Sequence, residues 1–164
     1  MIRRLMAADA QAYMQLRREA LERAPYAFSS SPEDDRMRSL EFVRDTLNSS
    51  GGAVFGAFVP ELIGSVGITR LPRKKVAHKA ELWGVYVRQD YRGQGLGRQL
   101  LEAALAFARS LDGVRQVHLC VTEKAGAAAA LYEALGFVRW GTEPAALCVD
   151  GEEVDDRHMV LRLS

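Results

Sequence analysis

The run Gly93-Gln94-Gly95-Leu96-Gly97-Arg98 carries the most legible chemistry in the chain. It stands between a strand-like segment and a helical one. Glycine permits positive φ and lets backbone come close to a ligand. The first amides of a following helix have no partner inside it and point outward. With the helix dipole they form a receptor for phosphate. A dinucleotide fingerprint, GxGxxG, asks for a third glycine at position 98, where Arg98 stands, and no GxxxxGK[ST] loop is present. Taken alone, the run reads equally well as a tight strand-to-helix connection. Glu81 is a second candidate. Strict alternation groups Glu81, Trp83, Val85 and Val87 on one strand face. An acid on a mostly apolar face suits a general base; it also suits a strand end paired with Lys79 or another cation.

Other chemistries are excluded. Cys120 and Cys148 lie far apart with no CxxC, which speaks against a disulfide framework and a thiolate zinc site. His78, His118 and His158 have no metal-ligand spacing, so no metal is expected. Lys plus Arg number 22 and Asp plus Glu 21, a net charge of +1. That balance gives no electrostatic case for nucleic acid or an anionic membrane. No apolar run reaches the ~20 residues of a membrane helix. The start has no signal-peptide core. The expectation is a cytoplasmic protein, with monomer and homodimer both open.

The elements that must position these residues follow from period and punctuation. The chain has 164 residues, 48% of them apolar and 26% charged, which suits one globular domain spanning 1–164. Ile2 to Leu5 reads as a first strand. After Asp9, residues Tyr13, Leu16, Ala20 and Leu21 share a helical face that Pro25 stops. Ser31-Pro32-Glu33-Asp34 predicts a second helix start, with a capping hydroxyl, an early proline and acids at the positive end. Leu40, Val43 and Leu47 continue its stripe. Residues 53–59, 62–70 and 80–87 then read as an antiparallel meander. Leu100, Leu101, Ala104, Leu105 and Ala108 mark a helix, residues 117–121 a strand, and residues 127–135 a short Ala-rich helix. A last hairpin turns at Asp150-Gly151. The strand–helix–strand order around the glycines predicts a parallel pair with a crossover.

Two motifs go further together than either does alone. Tyr91-Arg92-Gly93-Gln94-Gly95-Leu96-Gly97, after Val85-Tyr86-Val87, resembles the acetyl-CoA site of the GNAT acyltransferase superfamily. The family's Arg/Gln-x-x-Gly-x-Gly/Ala falls on Arg92, Gly95 and Gly97. Downstream, Leu131-Tyr132-Glu133-Ala134-Leu135-Gly136-Phe137 resembles the family's Leu-Tyr-x-x-x-Gly-Phe. The order of elements fits over nearly the whole chain. The resemblance implies an α+β fold, an α/β/α sandwich with a mixed central sheet of about seven strands, about four main helices and a parallel pair between the fourth and fifth strands.

It also implies an enzyme that moves an acetyl group from acetyl-CoA to a primary amine by direct attack, with the amide near Val85 holding the oxyanion. The amides of Gly93, Gln94, Gly95, Leu96, Gly97 and Arg98 would hold the pyrophosphate, with Arg98 adding charge. Val85, Tyr86 and Val87 would pair with the pantetheine arm as strands pair, where the fourth and fifth strands splay apart. Tyr132 would protonate the leaving thiolate, and Glu81 would take the proton of the amine. Two family positions differ here: an acid on the fifth strand is Cys120, read as a small packing residue, and an Asn before the motif tyrosine is Ala125. Apart from the resemblance, residues 23–45, with Tyr26 and Phe28 beside Pro25, read as the wall that sets acceptor choice, with the final hairpin as a second wall, or equally as a loop that those two aromatics pin to the core. Glu33, Asp34 and Asp35 would attract a cationic amine. A non-catalytic acyl-CoA-binding module is the alternative.

Overall fold

The computed structural model describes residues 1–164. Its strands are β1 (Ile2–Arg4), β2 (Gly52–Val59), β3 (Glu61–Arg70), β4 (Lys79–Val87), β5 (Gln116–Thr122), β6 (Val138–Val149) and β7 (Glu152–Arg162). Its helices are α1 (Ala10–Arg23), α2 (Leu40–Leu47), α3 (Leu96–Ser110) and α4 (Gly126–Ala134). The strands form one seven-stranded sheet in the order β1-β2-β3-β4-β5-β7-β6. Every neighbouring pair is antiparallel except β4–β5, which is parallel. This is the mixed sheet and parallel pair that the sequence led us to expect. No helix is long and apolar enough to cross a membrane.

The sheet separates two apolar clusters. On one face α3 buries Leu100, Leu101 and Leu105, and α4 buries Ala129 and Tyr132, against Ile63, Leu82, Val117, Leu119 and Met159. On the other face α1 and α2 bury Tyr13, Leu16, Val43 and Leu47 against Val54, Leu62 and Tyr86. The stripes read from the sequence are these buried faces. The last hairpin turns through Asp150 and Gly151, both with positive φ (50° and 81°), as a type I′ turn requires.

Two local expectations are corrected. No helix begins at Ser31. The Asp34 carboxylate accepts the Ser31 amide at 2.7 Å and closes a turn, and Asp35 is extended (ψ 128°), its carboxylate held by Arg17. That extended residue stops any helix from running through; α2 starts at Leu40, where Ser39 Oγ accepts the Phe42 amide. Asp9 does not cap α1 with its side chain. It takes the Met6 amide at 2.7 Å and both Arg3 amino groups instead.

The second correction lies in β4. Ser65 pairs with Tyr86 and Gly67 with Trp83. Two steps along β3 therefore face three along β4, and Gly84 (φ +64°) and Val85 form a bulge. An extra residue reverses the alternation beyond it. Trp83 and Tyr86 pack toward α1 and α2, while Val85 and Val87 pack toward α3 and α4. Glu81 and Trp83 thus do not share a face with Val85 and Val87. Gly67 has no side chain because the Trp83 ring occupies the place of its Cβ.

Candidate functional site

The parallel pair is short. β4 and β5 are in register at Lys79–Gln116, Ala80–Val117 and Glu81–His118 only. Beyond those rungs both strands continue, to Val87 and Thr122, without pairing. A cavity of about 400 Å³ occupies the opening. Consecutive residues Leu119, Cys120, Val121 and Thr122 all border it, as do Glu81, Leu82, Trp83, Gly84 and Val85. Alternate residues of a strand point to opposite faces. A cavity that both sets border therefore passes through the sheet between the two strands.

The glycine run follows β4 in the chain and leads into α3; its residues do not border that cavity. Gly93 and Gly95 have φ of 77° and 82°, the left-handed region that favours glycine. The first bond into α3 is the Gln99 amide to the Gly95 carbonyl at 3.1 Å. The amides of residues 93 to 98 ahead of it donate to no backbone carbonyl. Gly97 is helical, and a Cβ there would meet Leu131 of α4 at an ordinary 3.7 Å. A glycine at 97 is thus not demanded by the backbone, and close approach by a ligand is the physical reason left for it. The free amides, two left-handed glycines and the open β4 edge fit a pyrophosphate followed by an extended arm.

The neighbouring side chains are partly committed. Arg92 Nε donates to the Val87 carbonyl at 2.7 Å. Arg98 pairs with Glu102 one turn along α3 at 2.9 Å. The Tyr86 ring is buried on the far face, its hydroxyl on Glu19 at 3.0 Å, so only its backbone borders the β4 edge.

Tyr132 enters the same cavity from α4. It is 6% exposed, with the Phe137 ring edge-on at 6.0 Å. Its hydroxyl has no hydrogen-bond partner in the chain, and burial alone pushes its pKa up to about 12. It is a phenol that stays protonated until something basic reaches it.

From the opposite face Glu81 borders the cavity, in register with His118 of β5. Cys120 stands beyond it. Its side chain is exposed, and so is not the buried packing residue expected. Cys120 Sγ lies 3.3 Å from His158 Nδ1. Partial desolvation by the cavity walls, then the charges of Asp156, Glu81 and Glu143, push its pKa up to about 11. A thiol so placed is not an ionised nucleophile.

Phe28 and Tyr26 form part of the wall. Phe28 is buried against α1, with the Arg17 guanidinium 5.0 Å from its ring. Tyr26 donates to Glu152 of β7 at 2.7 Å, and Lys124 sits 4.6 Å over its ring. Glu143, Ala146, Leu147 and Asp156 of the final hairpin complete the wall. Asp35 is 5% exposed and taken up by Arg17, so it is not available to a substrate amine. Sequence reasoning missed Arg17, Glu143, Asp156 and His158. The signal was an alternation, Asp156 and His158 on β7, but its meaning needs the pairing Cys120–His158 and Thr122–Asp156, which no local pattern carries.

A second cleft, about 470 Å³, lies between α1 and residues 32–38. Its Arg17 and Asp35 are satisfied by each other; Arg18, Glu33 and Arg38 also line it, and it holds no cysteine, serine or histidine.

The family model described as acetyltransferase (GNAT) family matches residues 13–137. The chain is 52% identical over 60 residues to a mycothiol acetyltransferase of Thermobispora bispora, a match covering 37% of this chain and 20% of that protein. It is 42% identical over 80 residues to the N-alpha-acetyltransferase RimI of Mycobacterium tuberculosis, covering 49% of this chain and 48% of that protein. The chain thus matches less than half the length of either relative. A crystal structure of an acetyltransferase of GNAT family from Streptococcus pneumoniae superposes with a TM-score of 0.87 at 27% identity, over 99% of each chain.

Proposed function

The chain belongs to the acetyltransferase (GNAT) family, and from that premise we propose that residues 1–164 form one enzyme domain that transfers an acetyl group from acetyl-CoA to a primary amine. The observation that carries the reading is the cavity through the sheet. It brings the unpartnered Tyr132 hydroxyl and the Glu81 carboxylate to one opening, and the β4 strand that borders it leads on to a run of free amides at the head of α3. Acetyl-CoA supplies an activated acyl group as a thioester.

The chain's own residues do the rest. The amides of Gly93 to Arg98 bind the pyrophosphate with Gly95 and Gly97 allowing close approach. The free edge of β4 at Val85, Tyr86 and Val87 aligns the pantetheine as an added strand. Arg92 fixes the Val87 carbonyl at that edge. Glu81 takes the proton of the attacking ammonium, and Tyr132 gives one to the departing sulfur. Tyr26 and Phe28 line the acceptor side. Arg98 contributes charge at the helix start if it leaves Glu102.

Thiol release from acetyl-CoA, measured over a broad panel of amines, tests the reading. The proposal expects release above the uncatalysed rate with at least one primary amine. CoA binding with no release on any amine overturns it and favours an acyl-CoA-binding module.

A further inference from the structure

Three carboxylates from three strands converge on the acceptor side of the cavity. Glu81 of β4, Glu143 of β6 and Asp156 of β7 all border it, and all three charges act on the Cys120 thiol between them. Asp156 pairs in register with Thr122 on one side and Glu143 on the other. Its Oδ1 is buried and has no hydrogen-bond partner. A buried acceptor left without a donor is costly unless a ligand provides one. Burial, then the charge of Glu143, pushes its pKa up. A second unpartnered polar group shares the cavity: the Tyr132 hydroxyl, on a side chain 6% exposed. Positive charge is scarce. His158 is 3.6 Å from Glu143. Arg17 also borders the cavity, but its Nε and Nη2 donate to Asp35 at 3.1 Å each.

We propose that this cavity selects ammonium acceptors that carry no carboxylate on the carbon beside the nitrogen, and that Asp156 is the residue that sets this choice. The inference rests on the cavity being the acceptor site. A free α-amino acid would bring its own carboxylate against three others, with the nearby guanidinium already neutralised. Glu81 and Glu143 are exposed and screened by water, whereas Asp156 is partly buried, so like charge brought beside Asp156 is the unfavourable contact. An amine flanked by an amide, as at a peptide N-terminus, keeps the ammonium for Asp156 and adds no anion.

Calorimetry on CoA-saturated protein tests this with L-leucinamide and L-leucine as probes. Leucinamide is expected to bind more tightly by roughly tenfold or more. Asp156→Asn preserves side-chain volume and should weaken leucinamide roughly tenfold while leaving CoA affinity unchanged. Should that variant fail to fold, Glu143→Gln must weaken leucinamide in the same direction. Equal binding of the two probes, binding of neither, or an unchanged variant overturns the inference. The two readings fail separately. Acetylation of leucine at the rate of leucinamide sinks this one and leaves acetyl transfer standing. Selective leucinamide binding without thiol release does the reverse.

Discussion

Tyr132 is the residue where structure and chemistry can be separated. Its side chain is 6% exposed and its hydroxyl is bonded to nothing in the chain. Removing such a group costs no hydrogen bond within the chain. Tyr132→Phe should therefore leave the thermal midpoint unchanged or slightly raised. As general acid, the same hydroxyl should contribute about 10²–10⁴-fold to turnover, with the Michaelis constant for acetyl-CoA little changed. Because burial pushes the phenol up to about 12, it remains a donor above the ordinary tyrosine value. The pH–rate profile should show no alkaline limb from Tyr132 below pH 10, the ordinary value it departs from. Wild-type turnover in Tyr132→Phe, with chemistry limiting, makes Tyr132 a packing residue. Tyr132 was legible because the residues around it repeat a motif. Asp156 was not, because its meaning lies in partners more than thirty residues away along β5.

At the scale of elements, what the sequence disclosed is what local physics decides. Helix stripes, the Asp150-Gly151 turn and the glycine run before α3 are local, and they stand where expected. The misreadings share one cause: a tertiary contact overrode a local rule. Ser31-Pro32-Glu33-Asp34 has every helix-start feature, yet it closes as a turn, and Asp35, held by Arg17, is extended and breaks the run before α2. Alternation in β4 fails at the bulge, and only the register with β3 reveals it. That bulge is also what lets Glu81 and Val85 serve opposite faces of one opening. The segment after α1 gives a test at this scale. Phe28 is 8% exposed and packed under α1, whereas Tyr26 only reaches across to Glu152. Phe28→Ala should cost roughly 3 kcal/mol of stability. Tyr26→Ala should cost under about 1 kcal/mol, leave acetyl-CoA affinity alone and raise the Michaelis constant of the acceptor. If Tyr26→Ala destabilises as strongly and binds acceptor normally, the segment is scaffold rather than pocket wall.

The whole molecule is a sheet opened at one seam. Two apolar clusters hold its faces, and the only parallel pair is the one that parts after three rungs. One cluster carries α3 and α4, hence the free amides and Tyr132. The other face carries α1, the Tyr26–Phe28 segment and the acids. In the proposed reaction donor and acceptor would meet in the seam from opposite sides, so each side could be altered without the other. The central claim is that the amides at the head of α3 bind CoA, and Gly97 tests it most directly. Its backbone is helical, and a Cβ has room beside Leu131 at 3.7 Å, so Gly97→Val obstructs the approach to those amides without the strain that Gly95→Val would add at positive φ. Isothermal titration of CoA into wild type and Gly97→Val, each shown to be folded by its thermal transition, is the measurement. The account predicts one CoA bound by wild type and affinity reduced by roughly tenfold or more in the variant; unchanged affinity in a folded Gly97→Val protein would contradict it.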